Sequence, residues 1–309
     1  MQGKQDDSAS FFLEHDRTLT VYCKNGLCNR LYVLLSAKAL AEETGRQFRM
    51  FWPRTAACAA GFSDLFENSW NILERQPDEL TQSRSRTFFS YEPLPDLLKS
   101  QEDHLIFDIW SMLIEPKRYL EHGRLQRRCG ELLSMLTPVE PVRIAVANFK
   151  AVQFRPTMIG VHLRRGDFRK DYTSDRIAPD LQEALENVAR FLEIAPDAGI
   201  LLCTDDGAIH PRTKEPTSSQ GIKESFLDRF PDRVVFTEPT SLDRNNMVSI
   251  QEALVDLLLL REVDYFVGTA GSTFSGIAVF EREIPRVLIV GMKPSKIAKH
   301  RLAKVTGVY

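Results

Sequence analysis

The chain has 309 residues, 43% of them hydrophobic and 27% charged, and its 40 Lys and Arg against 42 Asp and Glu leave a net charge of −2. Such a chain can bury a sizeable core without covalent staples and is long enough for two domains of about 150 residues. The near-neutral balance excludes a global field that would gather nucleic acid or an anionic membrane, so any anion site must be local. Five cysteines, Cys23, Cys28, Cys58, Cys129 and Cys203, form no C-x-x-C pair, which favours reduced core thiols over a disulfide framework or a zinc site.

The first sixteen residues are mostly polar and lack the apolar core of a signal peptide. "LTVYC" (19–23) then predicts a buried strand, "KNGLCNR" (24–30) a loop, and "LYVLLSAKALAEETG" (31–45) a helix stopped by Gly45. "QFRMFW" (47–52) returns as a strand, completing the opening of a Rossmann-like half. A short capped helix is expected over 62–70 and strands at "TFFSYE" and "LIFDIW". Residues 116–153 read as mainly helical, broken by Pro138 and Pro141.

A second α/β unit starts near 157 with the strand "TMIGVHL" and the polar loop "RRGDFRKDYTSD" (164–175). An amphipathic helix over 180–195, the strand "AGILLC" ending in "TDDG", a helix over 220–229 and the strand "RVVFT" follow. Next come a helix over 247–263, the strand "DYFVG", the small-residue loop "TAGSTFSG", a helix at "IAVFERE" and a last strand "RVLIV". The longest apolar stretch, "ALVDLLLL", is well short of the roughly 18 residues of a membrane span and contains Asp256. The expected domains are 17–153 and 154–309.

In such sheets ligands bind outside the carboxyl ends of the strands. Four loops qualify: 24–30, 164–175, 204–210 and 268–275. Arg164 and Arg165 follow a strand directly, and their planar forks suit a pyrophosphate; the plain alternative is a surface arginine paired with an aspartate. Strand alternation puts His162 on the side of Arg164. In "GTAGSTFSG", small residues allow close backbone approach and the helix start offers N–H groups to an anion; equally, Ser272 could be an ordinary N-cap. Gly26, Asn29 and Arg30 could face a ligand or simply open a helix. Asp205 and Asp206 could hold a divalent cation, bind ribose hydroxyls or cap a helix. Two neighbouring arginines would neutralise a diphosphate without a metal. Asp256, alone in an apolar stretch, needs a partner: a base edge with two N–H donors, such as guanine, or else water or Arg261. No G-K-[ST] and no G-x-G-x-x-G follows a strand, which weighs against an ATPase or a dinucleotide enzyme.

Taken in order, "NGLCNRL", "GVHLRRGD", "LLCTDD" and "ALVDLLLLREVDYFVGTAGSTFS" resemble the fucosyltransferase superfamily, which includes α-1,6-fucosyltransferases, bacterial nodulation fucosyltransferases and protein O-fucosyltransferases. The resemblance implies an α/β GT-B fold, two Rossmann-like domains facing across a cleft, with GDP-fucose as donor substrate and neither metal nor cofactor required. It implies inverting transfer of fucose to a hydroxyl of a glycan or glycolipid by a bacterial-type protein; the near-neutral charge predicts no nucleic-acid partner, and the polar start and short apolar runs predict a cytoplasmic protein, free or at a membrane that carries the acceptor. By motif, Arg164 would bind the diphosphate with His162 and Arg165 in the same pocket. Ser272, Thr273, Phe274 and Ser275 would hold phosphate, Asp256 would read guanine, and Asp205 and Asp206 would lie near the nucleotide. Gly26 and Asn29 would face the transferred sugar, and Asp167 or Asp171 would be the base. Phe168 stands where the α-1,6 enzymes carry lysine, and Tyr172 near their glutamate. Those departures leave two alternatives in view: a non-catalytic nucleotide-sugar binder, and a transferase for another GDP-sugar. An adhesion role for Arg165-Gly166-Asp167 would need an exported loop and is set aside.

Overall fold

The structure, a computed structural model, describes residues 17–76, 85–88, 99–109, 123–164, 180–205 and 221–289. Chain contacts divide it into two compact units, with breaks at Arg54/Thr55, Phe66/Glu67 and Thr137/Pro138.

The first unit carries β1 (Thr18–Tyr22), α1 (Leu27–Glu43), β2 (Gln47–Phe51), β3 (Ser85–Phe88), β4 (His104–Phe107) and α2 (Gly123–Met135). Its strands form a parallel sheet in the order β2-β1-β4-β3. The central strand β1 is buried along its whole length, as expected where helices cover a parallel sheet. α1 begins four residues before the helix read from the sequence, because Leu27 continues the buried stripe of Leu31, Leu34 and Leu35. It ends as expected, with Gly45 in the left-handed region at φ 61°. α2 packs on α1, where Arg128 bonds Glu42 at 2.8 Å.

The second unit holds α3 (Glu140–Gln153), β5 (Met158–Leu163), α4 (Leu181–Ile194), β6 (Gly199–Thr204), α5 (Ile222–Arg229), β7 (Val234–Val235), α6 (Met247–Leu260), β8 (Tyr265–Thr269), α7 (Thr273–Ala278) and β9 (Arg286–Ile289). All its strands are parallel, in the order β7-β6-β5-β8-β9. α3, expected from the sequence in the N-terminal half, packs on α6, and its Lys150 bonds Glu262 at 2.8 Å. Pro141 lies in its first turn, a position that costs no hydrogen bond. Residues 55–66 also belong here: the Ala59 N–H donates to Arg244 O at 3.0 Å and Gln251 Nε2 to Asp64 O at 2.7 Å. The helix expected over 62–70 is a single 3-10 turn, Phe62–Asp64. The final helix also differs from expectation: α7 occupies Thr273–Ala278, four residues ahead of "IAVFERE".

The pleat sorts the second sheet into two faces. Ile159, Val161 and Leu163 pack with Ala184, Val188 and Phe191 of α4 and with Ile222 and Phe226 of α5. Gly160 and His162 therefore face the opposite side. There the backbone lies so close to the end of α6 that a Cβ on Gly160 would stand 2.8 Å from Val263 Cγ2 and 3.0 Å from Leu260 Cδ2. Overpacking a filled core forces side chains off their rotamers. Gly160→Ala should lose about 1–3 kcal/mol of stability, seen as a lower urea midpoint at an unchanged m value.

Candidate active site

The strand order of the second sheet creates a switch point. From β5 the chain moves outward through β6 to β7, then returns to β8 on the other flank and moves outward to β9. Open parallel sheets bind ligands in the crevice that such a reversal leaves at the carboxyl edge. Here the crevice lies between the ends of β5 and β8. The β5·β8 ladder stops at Val161↔Val267, yet β5 stays paired with β6 to Leu163↔Thr204 and β8 with β9 to Thr269↔Ile289. The central strands thus separate from each other while each is still paired with its outer neighbour.

The sides of this gap are joined by side chains. Thr269 Oγ1 donates to His162 O and accepts the Arg164 N–H, both at 3.0 Å. His162 Nδ1 and Ser275 Oγ are 2.7 Å apart, and Ser275 Oγ also accepts the Thr269 N–H at 3.0 Å. With that lone pair engaged, the Ser275 proton can go to Nδ1, which places the ring proton on Nε2. The imidazole stacks on Phe274 with centroids 4.7 Å apart. Burial, with the nearby charge of Arg164, holds the His162 pKa down to about 3, so the ring is neutral.

Two glycines shape the end of β8 and the turn after it. Gly271 is left-handed at φ 73°, and a Cβ on Gly268 would stand 2.3 Å from the Phe266 ring and 3.0 Å from Ser275 Oγ. Ser272 follows at the N-cap position of α7, where an ordinary cap would bond a backbone N–H. It makes no such bond. Its Oγ is buried and, among the described residues, has no hydrogen-bond partner; the residue is only 5% exposed. A buried hydroxyl left unpaired is costly and calls for an explanation. Thr273 and Phe274 are half-buried beside it. Ser275 is fully buried and supports His162 instead of facing outward.

Asp205 directly follows β6 and is half-buried. Asp256 accepts from Thr237 Oγ1, the residue two beyond β7, and not from Arg261, which donates to Ile277 O at 2.6 Å. Burial raises the Asp256 pKa to about 6 despite the Thr237 bond, and Glu252 one turn earlier adds to the rise. Glu252 Oε1 holds Thr240 through N and Oγ1, both at 2.9 Å, while its Oε2 is buried without a partner among the described residues.

In the first unit, Gly26 is the N-cap of α1 and Asn29 is half-buried in its first turn, so both stand at the helix start and not in a long loop. Arg30 is fully buried. It donates to the carbonyls of Lys24, Asn25 and Pro53 and lies over the Trp52 ring at 5.1 Å, so it clamps the turn after β1. Arg165, Asp167, Phe168, Asp171, Tyr172 and Asp206 lie outside the described residues. Among the described residues, no group of three or more His, Cys, Asp or Glu could hold a metal, and no helix is long and apolar enough to cross a membrane.

The fold has solved counterparts. The NodZ α-1,6-fucosyltransferase soaked with GDP-fucose superposes with a TM-score of 0.58 at 16% identity, covering 86% of this chain and 93% of that one; another NodZ structure comes from Bradyrhizobium. The chain has the NodZ fold. FUT1 of Arabidopsis thaliana in complex with GDP gives 0.58 at 13% identity over 93% of this chain and 71% of that one. POFUT1 in complex with GDP-fucose gives 0.52 at 13% identity over 90% and 99%. In sequence, 124 residues are 35% identical to GDP-fucose protein O-fucosyltransferase 2 of Drosophila melanogaster, a match covering 40% of this chain and 23% of that protein. No protein-family model matches the chain.

Nothing in the sequence singles out Thr269, because a β-branched residue at a strand end carries no mark of a bridging role. Thr237 and Glu252 carry no mark either. The buried imidazole sets a pH dependence. His162 stays neutral in the folded protein down to about 3, while the unfolded ring takes a proton near 6.5. Between those values the unfolded state binds the extra proton, so this group's stabilisation is present above 6.5 and is lost as pH falls. Between about pH 7 and pH 5 the wild type should lose about 2 kcal/mol more than His162→Gln, measured by urea unfolding. Asp256 acts with the opposite sign in both proteins and cancels from the difference.

Proposed function

We propose that the chain is a glycosyltransferase that takes fucose from GDP-fucose and transfers it, with inversion, to a hydroxyl of a glycan or glycolipid. The observation that carries this reading is Ser272. It occupies a helix N-cap without capping, and among the described residues its buried hydroxyl has no partner, beside the switch-point crevice that Arg164 also borders. A phosphate oxygen would complete that hydroxyl and pair with the Arg164 fork. The fold is shared with structures solved with GDP-fucose or GDP, and the partial sequence match is to a protein O-fucosyltransferase.

In this reading Arg164, with Arg165, and the Ser272–Thr273–Phe274 turn hold the diphosphate. The acceptor oxygen attacks the anomeric carbon as the bond from that carbon to the β-phosphate oxygen breaks. GDP departs with the electron pair, and Arg164 stabilises the charge that develops on it. The acceptor proton passes to a carboxylate, for which Asp167 and Asp171 are the candidates. Asp256, whose desolvated carboxylate is bonded by the Thr237 hydroxyl and by no cation among the described residues, accepts from the guanine edge. In the same reading Asp205 and Asp206 would serve the nucleotide, and Gly26 and Asn29 the sugar. Arg164 supplies the positive charge, so the reading calls on no metal and no further cofactor. The protein works in the cytoplasm, free or at the membrane that bears its acceptor.

GDP should stabilise the protein to heat while UDP, CMP and NAD do not, and Arg164→Ala should weaken GDP binding about 100-fold. An Arg164→Ala protein that responds to GDP as the wild type does would sink the assignment. Asp256→Asn should narrow the preference for GDP over UDP by about tenfold in titration calorimetry, since an amide presents a donor where the guanine N–H groups need an acceptor. Slow release of free fucose from GDP-fucose, but not of mannose from GDP-mannose, separates a fucosyltransferase from a silent binder and from a transferase of another GDP-sugar.

A further inference from the structure

We propose that Thr269 is a positioning residue for Arg164: its hydroxyl, and not the β-ladder, sets where the arginine leaves the sheet. The role in binding rests on the donor site proposed above. The bridge itself stands on geometry alone.

The ladder between β5 and β8 ends at Val161↔Val267, and beyond it His162 O and the Arg164 N–H meet the Thr269 side chain where a ladder would offer main-chain groups. Thr269 Oγ1 serves both, giving its one proton to His162 O and a lone pair to the Arg164 N–H, each at 3.0 Å. The residue is 1% exposed and its hydroxyl proton is committed, so it acts on a ligand only through what it holds. Valine would fill the same volume and leave two backbone groups without partners beside the crevice. Those groups would then recruit water or twist the chain at residue 164. A long side chain magnifies any such twist at its tip, and a bidentate contact tolerates little of it. Serine keeps the oxygen and restores the bridge.

The test uses the full chain. In the unliganded wild type, the Arg164 amide should exchange with deuterium as slowly as amides inside β5, although it lies beyond the β5·β8 ladder. Thr269→Val should speed its exchange at least about tenfold while leaving Phe266 and Val267 unchanged. For GDP, Thr269→Val should raise the dissociation constant about tenfold in the wild-type background but less than about twofold when Arg164 is already alanine, the non-additivity of residues acting as one unit. Thr269→Ser should bind within about threefold of wild type. Rapid exchange of the Arg164 amide in the wild type would overturn the bridge. An equal loss of GDP affinity with and without the arginine would overturn the positioning role. A wild-type protein that ignores GDP would remove the donor site, with the exchange measurement still deciding whether the bridge exists.

Discussion

Two strands that separate before they end create the central constraint in this protein. A parallel sheet satisfies backbone groups strand to strand, and the divergence of β5 from β8 leaves those groups facing a gap. Thr269, Ser275 and His162 fill it with side-chain hydrogen bonds, each member serving two partners or stacking on a third. The gap is therefore held open by a connected polar network, and such networks rigidify what they border. The neutral state of His162 belongs to the same arrangement: a charged ring there would be buried beside Arg164.

Around this network, polar atoms divide into those that are used up and those that are left over. Ser275 and Thr269 are engaged inside the protein, whereas Ser272 Oγ and Glu252 Oε2 are buried without partners among the described residues. That division separates framework from candidate contact more sharply than residue type does, since three of the four are hydroxyl residues within one short turn or at its edge. Arg30 makes the same point from the other direction. An arginine in the first turn of the helix after a strand invites an anion, yet its fork is taken up by three carbonyls and the Trp52 ring.

Much of the fold is legible in the sequence because it rests on local periodicity. The strands Thr18–Tyr22 and Met158–Leu163, the amphipathic helix Leu181–Ile194 and the stop at Gly45 all follow from apolar spacing and one left-handed glycine. Where the pattern misleads, a residue defies its type. The buried Arg30 hides the true start of α1, and the small residues of Thr273–Ala278 hide a helix inside what looks like a loop. In the site, the positions of His162 and Arg164 come from strand alternation, which is a local rule. The bridge by Thr269 and the pairing of Asp256 with Thr237 join residues 105 and 19 positions apart, and no single-sequence pattern encodes which distant strand ends will meet.

The insertion of residues 55–66 into the second unit bears on how the chain can be made and cut. Three crossings, at 54/55, 66/67 and 137/138, mean that neither unit is one unbroken run of sequence. A ribosome releases Thr55–Phe66 long before α6, the helix whose Gln251 holds Asp64, has been synthesised. Its Leu65 carbonyl can take the Val139 N–H as α3 emerges, but its bond to α6 must wait until Gln251 has been made. The second unit is thus a product of the whole polypeptide, and a fragment that starts at β5 would lack both α3 and the strap that covers α6.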